Sequence, residues 1–347
     1  MRPPFTQVDS LGFGKHFTDH MFTMRYNEEL GWYKGKISKL EPFALHPAAS
    51  VFHYSQEIFE GLKAYLSEDE KVLLFRPEEN ARRMNRSARR LCMPEIPEEL
   101  FLNALNELIS LEKQWIPKAP GTSLYIRPAM MGVEAFLGVR SSKEYLFYII
   151  LSPVGPYFKE GFKPVGIYVE DQMARAIPGG VGDIKAGGNY AASLLAGHRA
   201  QELGYSQVLW LDAKEHRYLE EVGAMNVFVV FGSTLVTPPL TGSILPGITR
   251  DSVLKLAQSM GYKVEERLIS IDQVLEGVAH GAVTEVFGSG TAAAISPVGS
   301  LFYKGKNYVI GNNRVGDITQ AIYDRLTAIQ YGKVKDEFGW VREINPK

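Results

Sequence analysis

The run Gly179-Gly180-Val181-Gly182-Asp183-Ile184-Lys185-Ala186-Gly187-Gly188-Asn189-Tyr190 sets one lysine in a glycine-dense loop, with a tyrosine five residues on. Glycine lets backbone approach a bound group closely and take turns closed to other residues. A lysine presented this way suits a Schiff base with a carbonyl cofactor. A flexible turn with its lysine in water fits the same residues, so the flanks must decide. Upstream, 165–169 reads as a strand; downstream, 191–203 reads as a helix. Further strands are expected at 208–211, 217–221, 226–231, 234–237 and 283–287, with turns at 212–216 and 232–233. Helices are expected at 251–260 and 317–330, the second stopped by Gly332.

In the first half, 72–75 reads as a short buried strand. Pro77 opens a helix that runs to about Leu91, with acids at its start, arginines at its end and a stripe of Met84, Ala88 and Leu91. Arg83 lies beside that stripe and is expected to point inward, while Arg86, Arg89 and Arg90 are expected in solvent. A second helical pattern covers 102–115, and strands are expected at 124–128 and 146–151. Helices and strands mix without regular alternation, which argues for α+β domains over a doubly wound sheet. The stretch 153–164, punctuated by proline and glycine, reads as an interdomain loop between domains at 1–152 and 165–347.

Composition narrows the class. The chain has 347 residues, 45% hydrophobic and 22% charged, the profile of a globular protein with a real core. Lys plus Arg number 38 against 39 Asp plus Glu, so no net field favours nucleic acid or an anionic membrane. Cys92 is the single cysteine, which excludes an intrachain disulfide and suits a reducing cytoplasm. Residues 1–12 lack a charged-then-apolar leader, and no apolar run approaches the ~20 residues of a membrane helix. The seven histidines show no paired spacing for a metal.

If Lys185 binds an aldehyde cofactor, three needs follow: an anion site, a carboxylate for a ring nitrogen, and a grip on substrate carboxylate. Leu245-Pro246-Gly247-Ile248-Thr249-Arg250 feeds a helix start, a ready anion site, and Gly288-Ser289-Gly290-Thr291-Ala292 reads as a second turn of that kind. Plain helix capping explains either turn alone. Glu220 and Glu221 end a strand and are expected on opposite faces, so only one meets a buried ligand, and periodicity does not say which. Tyr125 and Arg127 share one face of a strand and form a possible carboxylate clamp, or else one packed aromatic beside a solvated arginine.

With these residues in place, the chain resembles the branched-chain amino-acid aminotransferases, pyridoxal-phosphate enzymes of fold type IV within the class IV aminotransferases. The matching runs are Phe17-Thr18-Asp19-His20-Met21, Phe59-Glu60-Gly61-Leu62-Lys63-Ala64-Tyr65, Leu74-Phe75-Arg76-Pro77, the lysine loop, Glu221-Val222-Gly223-Ala224-Met225-Asn226, and the two turns just quoted. They span nearly the whole chain and look closer to the longer, eukaryotic-like branch than to the short bacterial form.

The resemblance implies a two-domain fold with a smaller N-terminal α/β domain and a larger C-terminal pseudo-barrel. It implies pyridoxal 5'-phosphate as cofactor. Lys185 matches the catalytic lysine, Tyr190 the tyrosine on the cofactor's phenolate oxygen, and Glu221, rather than Glu220, the acid on the pyridine nitrogen. Arg83 matches the phosphate-binding arginine, helped by Ile248, Thr249 and Thr291, and Arg175 matches a further arginine close by. Tyr125, Arg127 and Ala292 match the substrate side, and Phe13 and Tyr54 match aromatic walls, Tyr54 supplied across a dimer interface.

The implied activity is reversible transamination of leucine, isoleucine and valine with 2-oxoglutarate, in a cytoplasmic homodimer with no nucleic-acid or membrane partner. Other fold-type IV enzymes, a D-amino-acid aminotransferase or an aminodeoxychorismate lyase, are the alternative; the Phe59–Tyr65 run and the Tyr125–Arg127 pair argue against both. A catalytically silent regulatory protein and a basic-helix interaction module are more distant readings. Two departures stand out. Ala224 replaces a threonine of the mammalian relatives, and Ala293 and Ser296 occupy the places of their CXXC thiols, so thiol regulation of that kind cannot operate.

Overall fold

The computed structural model describes residues 11–155 and 162–344. Residues 1–10 of the leader reading and 156–161 of the expected interdomain loop lie outside these residues, and Pro153 and Val154 prolong a strand. Two compact units are present: 1–159 with 184–187 and 328–347, and 160–183 with 188–327. This corrects the expected boundaries at 152 and 165 in two places. The lysine segment Ile184–Gly187 and the C-terminal stretch both belong to the first unit, which makes it the longer of the two. The cause is strand pairing: Val341–Glu343 lies antiparallel against Val72–Phe75.

The first unit is built on an antiparallel sheet. Its strands are β1 (His20–Asn27), β2 (Gly31–Lys39), β3 (Glu57–Phe59), β4 (Leu62–Leu66), β5 (Val72–Phe75), β6 (Ser123–Gly132) and β7 (Glu144–Val154). The order runs from Val341–Glu343 through β5, β4, β6, β7 and β1 to β2, with β3 also on β6. A short helix α1 (Ser50–Tyr54) precedes β3; α2 (Pro77–Arg90) and α3 (Glu98–Leu111) cover one face of the sheet. Met84 and Ala88 of α2 and Phe101 and Leu105 of α3 pack with Leu62, Ile126 and Phe147 in one core. Each such large side chain contributes roughly 1.5–3 kcal/mol of burial. The period of two then sends Lys63, Tyr125 and Arg127 to the opposite face, Lys63 directly across from Tyr125.

Arg83 is buried as its place beside the stripe predicts, but Arg86, expected in solvent, is partly buried. Helix α3 starts at Glu98, just after Pro97, earlier than the expected 102, and stops at Leu111 before a short 3-10 turn at Lys113–Trp115. The hairpin β1–β2 carries no expectation in the sequence reading.

The second unit holds β8 (Val165–Glu170), β9 (Gln207–Leu211), β10 (Leu219–Val222), β11 (Met225–Phe231), β12 (Thr234–Thr237), β13 (Lys263–Glu266), β14 (Val283–Gly290), β15 (Ala294–Tyr303) and β16 (Lys306–Val309). The order β10-β9-β8-β15-β14-β11 closes on itself through pairing of β10 with β11, a six-stranded barrel. Its strands are buried on both faces: Val227, Phe228, Val229 and Val230 are all fully inaccessible. Helices α4 (Gly187–Ala191), α5 (Leu194–Glu202), α6 (Ile248–Ser259) and α7 (Ile271–Ala279) follow in the chain, and α8 (Asp317–Gln330) ends it.

Three details differ from expectation. The helix expected at 191–203 is α5, Leu194–Glu202, and a separate short helix α4 precedes it inside the glycine-rich run. The strand expected from Arg217 starts at Leu219, because Asp212 accepts backbone bonds from Lys214, Glu215, Arg217 and Tyr218 and holds the turn closed. The second glycine turn is not at 288–290. Gly288 to Gly290 continue β14, and the turn is Thr291 to Ala293. Gly288 serves close packing instead, since a Cβ there would press on Val222 and Met225.

Candidate active site

In the first unit the lysine segment lies against β3. The Phe59 amide donates to the Lys185 carbonyl at 3.0 Å, and the Lys185 amide donates to Ser87 Oγ of α2 at 3.1 Å. These two bonds fix the backbone on both sides and leave the side chain to project. Lys185 Nζ stands 4.9 Å from the centroid of the Phe59 ring. The Arg127 guanidinium lies 4.6 Å from the same ring and donates to the Tyr125 hydroxyl at 2.9 Å. Phe13 meets the Tyr125 ring edge-on, with centroids 4.8 Å apart. A Cβ on Gly61 would collide with the Tyr125 hydroxyl, so this position admits only glycine without displacing the ring. Lys185, Phe59, Tyr125, Arg127 and Phe13 thus gather at one side of the sheet.

Behind them sits a charge pair that the sequence reading did not anticipate. Glu60 is fully buried and accepts from Arg83 Nε at 2.7 Å, Arg83 Nη2 at 2.8 Å, Asn80 Nδ2 at 2.7 Å and the Gly61 amide at 3.1 Å. Burial alone would raise its carboxyl. The Arg83 guanidinium, the Lys185 ammonium and the Asn80 amide outweigh that and hold it below the ordinary carboxylate range. Tyr54, by contrast, is not part of this face. It is 40% exposed, and its hydroxyl donates to the Leu137 carbonyl.

The second unit carries the acid cluster. Glu221 is buried; Arg175 Nε pairs with its Oε2 at 3.1 Å, and the Leu245 amide donates to its Oε1 at 2.9 Å. Arg175 Nη2 donates to the carbonyls of Gly182 and Ser243. Glu220, expected on the opposite face, is buried in the same cluster, where the Ser243 hydroxyl donates to its Oε1. A register shift between Leu219 and Val222 in the β9–β10 pairing breaks strict alternation here.

Ile248 and Thr249 open α6 behind Gly247, which leaves that helix start without a side-chain cap. The Asn226 side chain donates to the Leu245 carbonyl at 2.9 Å and lies so close to Gly247 that a Cβ there would strike it. Tyr190 lies in α4, where Asn189 Nδ2 donates to the Val181 carbonyl at 2.7 Å. Thr291 and Ala292 occupy the β14–β15 turn.

A separate groove of ≈ 560 Å³ runs between the β1–β2 hairpin and α3, lined by Phe22, Met24, Trp32 and Leu100. It holds none of the residues above. The functional neighbours missed from sequence are Glu60, Asn80, Ser87 and Ser243. Glu60 alone left a signal, an acid inside the apolar run 58–66.

Residues 57–301 match the family Amino-transferase class IV, and the chain belongs to that family. Among its relatives, it is 54% identical over 336 residues to Branched-chain-amino-acid transaminase 1 of Bacillus subtilis (strain 168), covering 96% of this chain and 94% of that one. It is 53% identical over 341 residues to the Probable branched-chain-amino-acid aminotransferase of Staphylococcus aureus (strain N315), covering 98% and 95%. Both relatives are bacterial. Among solved structures, the branched-chain amino acid aminotransferase from Escherichia coli superposes with a TM-score of 0.75 at 28% identity, covering 95% of this chain and all of that one. The branched-chain amino acid aminotransferase from Thermoproteus uzoniensis, solved with norvaline, gives 0.77 at 25% identity, covering 94% of this chain and all of that one.

Proposed function

We propose that this chain catalyses reversible transfer of the amino group between leucine, isoleucine or valine and 2-oxoglutarate, with pyridoxal 5'-phosphate as cofactor. The observation that carries the reading is Lys185, whose amine is presented on the Phe59 ring beside the Tyr125–Arg127 clamp. The residues fit the cofactor. The start of α6 at Ile248 and Thr249, entered through Gly247, suits a phosphate. A buried carboxylate at Glu221, fixed by Arg175 and the Leu245 amide, suits a protonated ring nitrogen.

In this reading Lys185 and Tyr190 would hold the cofactor's ring, and Arg83, Ile248, Thr249 and Thr291 would hold its phosphate. When bound, the cofactor supplies the electron sink that stabilises negative charge on the substrate's α-carbon. Lys185 Nζ, as a free amine, would take the proton from the substrate's α-carbon and give it up to the cofactor carbon that carries the transferred nitrogen. Glu221 keeps a proton at the ring nitrogen throughout. Tyr125, Arg127 and Ala292 are the residues assigned to the substrate side in this reading. Phe13, together with a Tyr54 supplied across the dimer interface, receives the branched side chain, and the distal carboxylate of glutamate reaches Arg127. Amino donor and acceptor use the site in turn, so the kinetics are ping-pong.

The working unit in this proposal is a cytoplasmic homodimer. Phe52, Leu137 and Val139 are 61%, 60% and 86% exposed beside Tyr54, an apolar surface suited to a second copy. Among the described residues no helix is long and apolar enough to cross a membrane. Initial rates of glutamate formation from leucine, isoleucine and valine test the function. The Lys185→Ala variant should lose at least about a thousandfold in rate together with the absorbance of bound cofactor. Wild-type turnover in that variant would reject the assignment.

A further inference from the structure

We propose that Glu220 serves the site as a neutral acid: its carboxyl keeps its proton, fixes Ser243, and leaves the charge of Arg175 to Glu221 alone. The proposal rests on the reading above, in which Glu221 faces the cofactor ring.

Two consecutive glutamates, 4% and 3% exposed, share one buried cluster in which Arg175 is the cation facing them among the described residues. Arg175 pairs with Glu221 through Nε and rests its Nη2 on the carbonyl of Ser243. The hydroxyl of that same serine donates to Glu220 Oε1 and also meets Thr241 Oγ1 at 3.1 Å. The groups facing Glu220 are therefore Arg175, Ser243, its neighbour Glu221 and, from the β9–β10 turn, Asp212. One guanidinium balances one carboxylate. A second ionised carboxylate in the same dry space would carry a charge with no counter-charge, which is expensive.

The hydrogen bonds agree with a retained proton. An ionised carboxylate offers about four acceptor sites. Glu220 Oε2 is buried and has no hydrogen-bond partner among the described residues. A neutral acid leaves one hydroxyl unpaired there, whereas an anion would leave both that oxygen and a charge uncompensated, which costs more. Burial, reinforced by Glu221 and Asp212 and opposed by Ser243 and Arg175, raises this carboxyl above its ordinary range.

The consequence reaches the lysine loop. Arg175 Nη2 also donates to the Gly182 carbonyl at 3.1 Å, and a Cβ on Gly182 would strike Ser243 and Ala176. Ser243 is thus the floor on which the loop and Arg175 both rest, and Glu220 holds that floor. Glu220 is a positioning residue that acts on Glu221 through Ser243 and Arg175.

The test uses full-chain protein at neutral pH. Infrared difference spectra of wild type against Glu220→Gln should show a buried un-ionised carboxylic acid in the wild type that the variant lacks, with or without cofactor. Titration with pyridoxal 5'-phosphate should show about tenfold weaker binding in Glu220→Ala, the worth of one buried hydrogen bond. Glu220→Gln, neutral and still able to accept from Ser243, should recover most of that loss. No acid band lost in Glu220→Gln would overturn the proposal. So would equal weakening by Gln and Ala, or wild-type affinity in both. Wild-type protein that fails to bind the cofactor would sink the functional reading instead, while the infrared result would still decide the state of Glu220.

Discussion

Replacing Glu60 by glutamine isolates what the buried Glu60–Arg83 pair contributes. The side chain keeps its shape and volume, so packing is unchanged. The charge and the two-pronged acceptor for Arg83 Nε and Nη2, now at 2.7 and 2.8 Å, are lost. Arg83 is only 6% exposed, and its guanidinium stays charged, so a buried cation is left without its counter-charge. Removing one partner of such a pair costs about 3–5 kcal/mol. In a unit of this size each kcal/mol moves the midpoint by about 2–4 °C, so the first unit's melting transition should fall by about 10 °C.

Scanning calorimetry of wild type and Glu60→Gln at pH 7 measures that shift. A pH series adds an independent check. The Glu60 carboxyl is depressed in the folded state, so its contribution is present above the ordinary carboxylate range and is lost as pH falls through its lowered value. The variant should lack that acid-side loss. A midpoint within about 2 °C of wild type at pH 7 would refute the reasoning, because it would mean Arg83 is not desolvated by the fold.

Three more outcomes follow from the same sheet. Arg127→Ala should raise KM for 2-oxoglutarate at least about tenfold more than KM for leucine, because a charge-assisted contact to the distal carboxylate is lost; equal effects on both substrates would remove Arg127 from that role. Burial drives the Lys63 ammonium from 10.5 down to about 8, so folding penalises its charged form. That penalty relaxes as pH rises through this window, and wild type should gain up to about 3 kcal/mol across it, while Lys63→Met should show no such rise in chemical denaturation. Gly61→Ala should push the Tyr125 ring off Phe13 and weaken substrate binding, with an overpacking cost of about 1–3 kcal/mol; unchanged KM and midpoint would show that the ring has room to move.

Legibility in the sequence followed the strength of local signals. Helix α2 was readable because Pro77, its early acids and the Met84–Ala88 stripe all agree, and α8 because its apolar face repeats cleanly up to Gly332. The barrel was harder. Strands such as β11 are buried on both faces, so alternation vanishes. The glycines at 288 and 290 imitate a turn while relieving contacts inside a strand. At the site, the lysine loop, the inward Arg83 and the Tyr125–Arg127 spacing were visible because each depends on near neighbours. Glu60 with Arg83, and Ser243 with Glu220, are each pairs separated by 23 residues, and no local pattern announces such partners. Which of Glu220 and Glu221 meets a buried ligand stayed open in the sequence because β10 is buried along its whole length, so both acids are inaccessible and alternation cannot single one out.

The short segment Ile184–Gly187 leaves one folded body, joins the other, and returns. A gene fragment ending near residue 159 would therefore encode neither Lys185 nor the edge strand Val341–Glu343 that completes its own sheet. The halves cannot be parted by a single cut and studied as autonomous pieces. Shuffling or truncation of this enzyme must respect each crossing of the chain, and a bare β5 edge would invite aggregation in any fragment that ignores them.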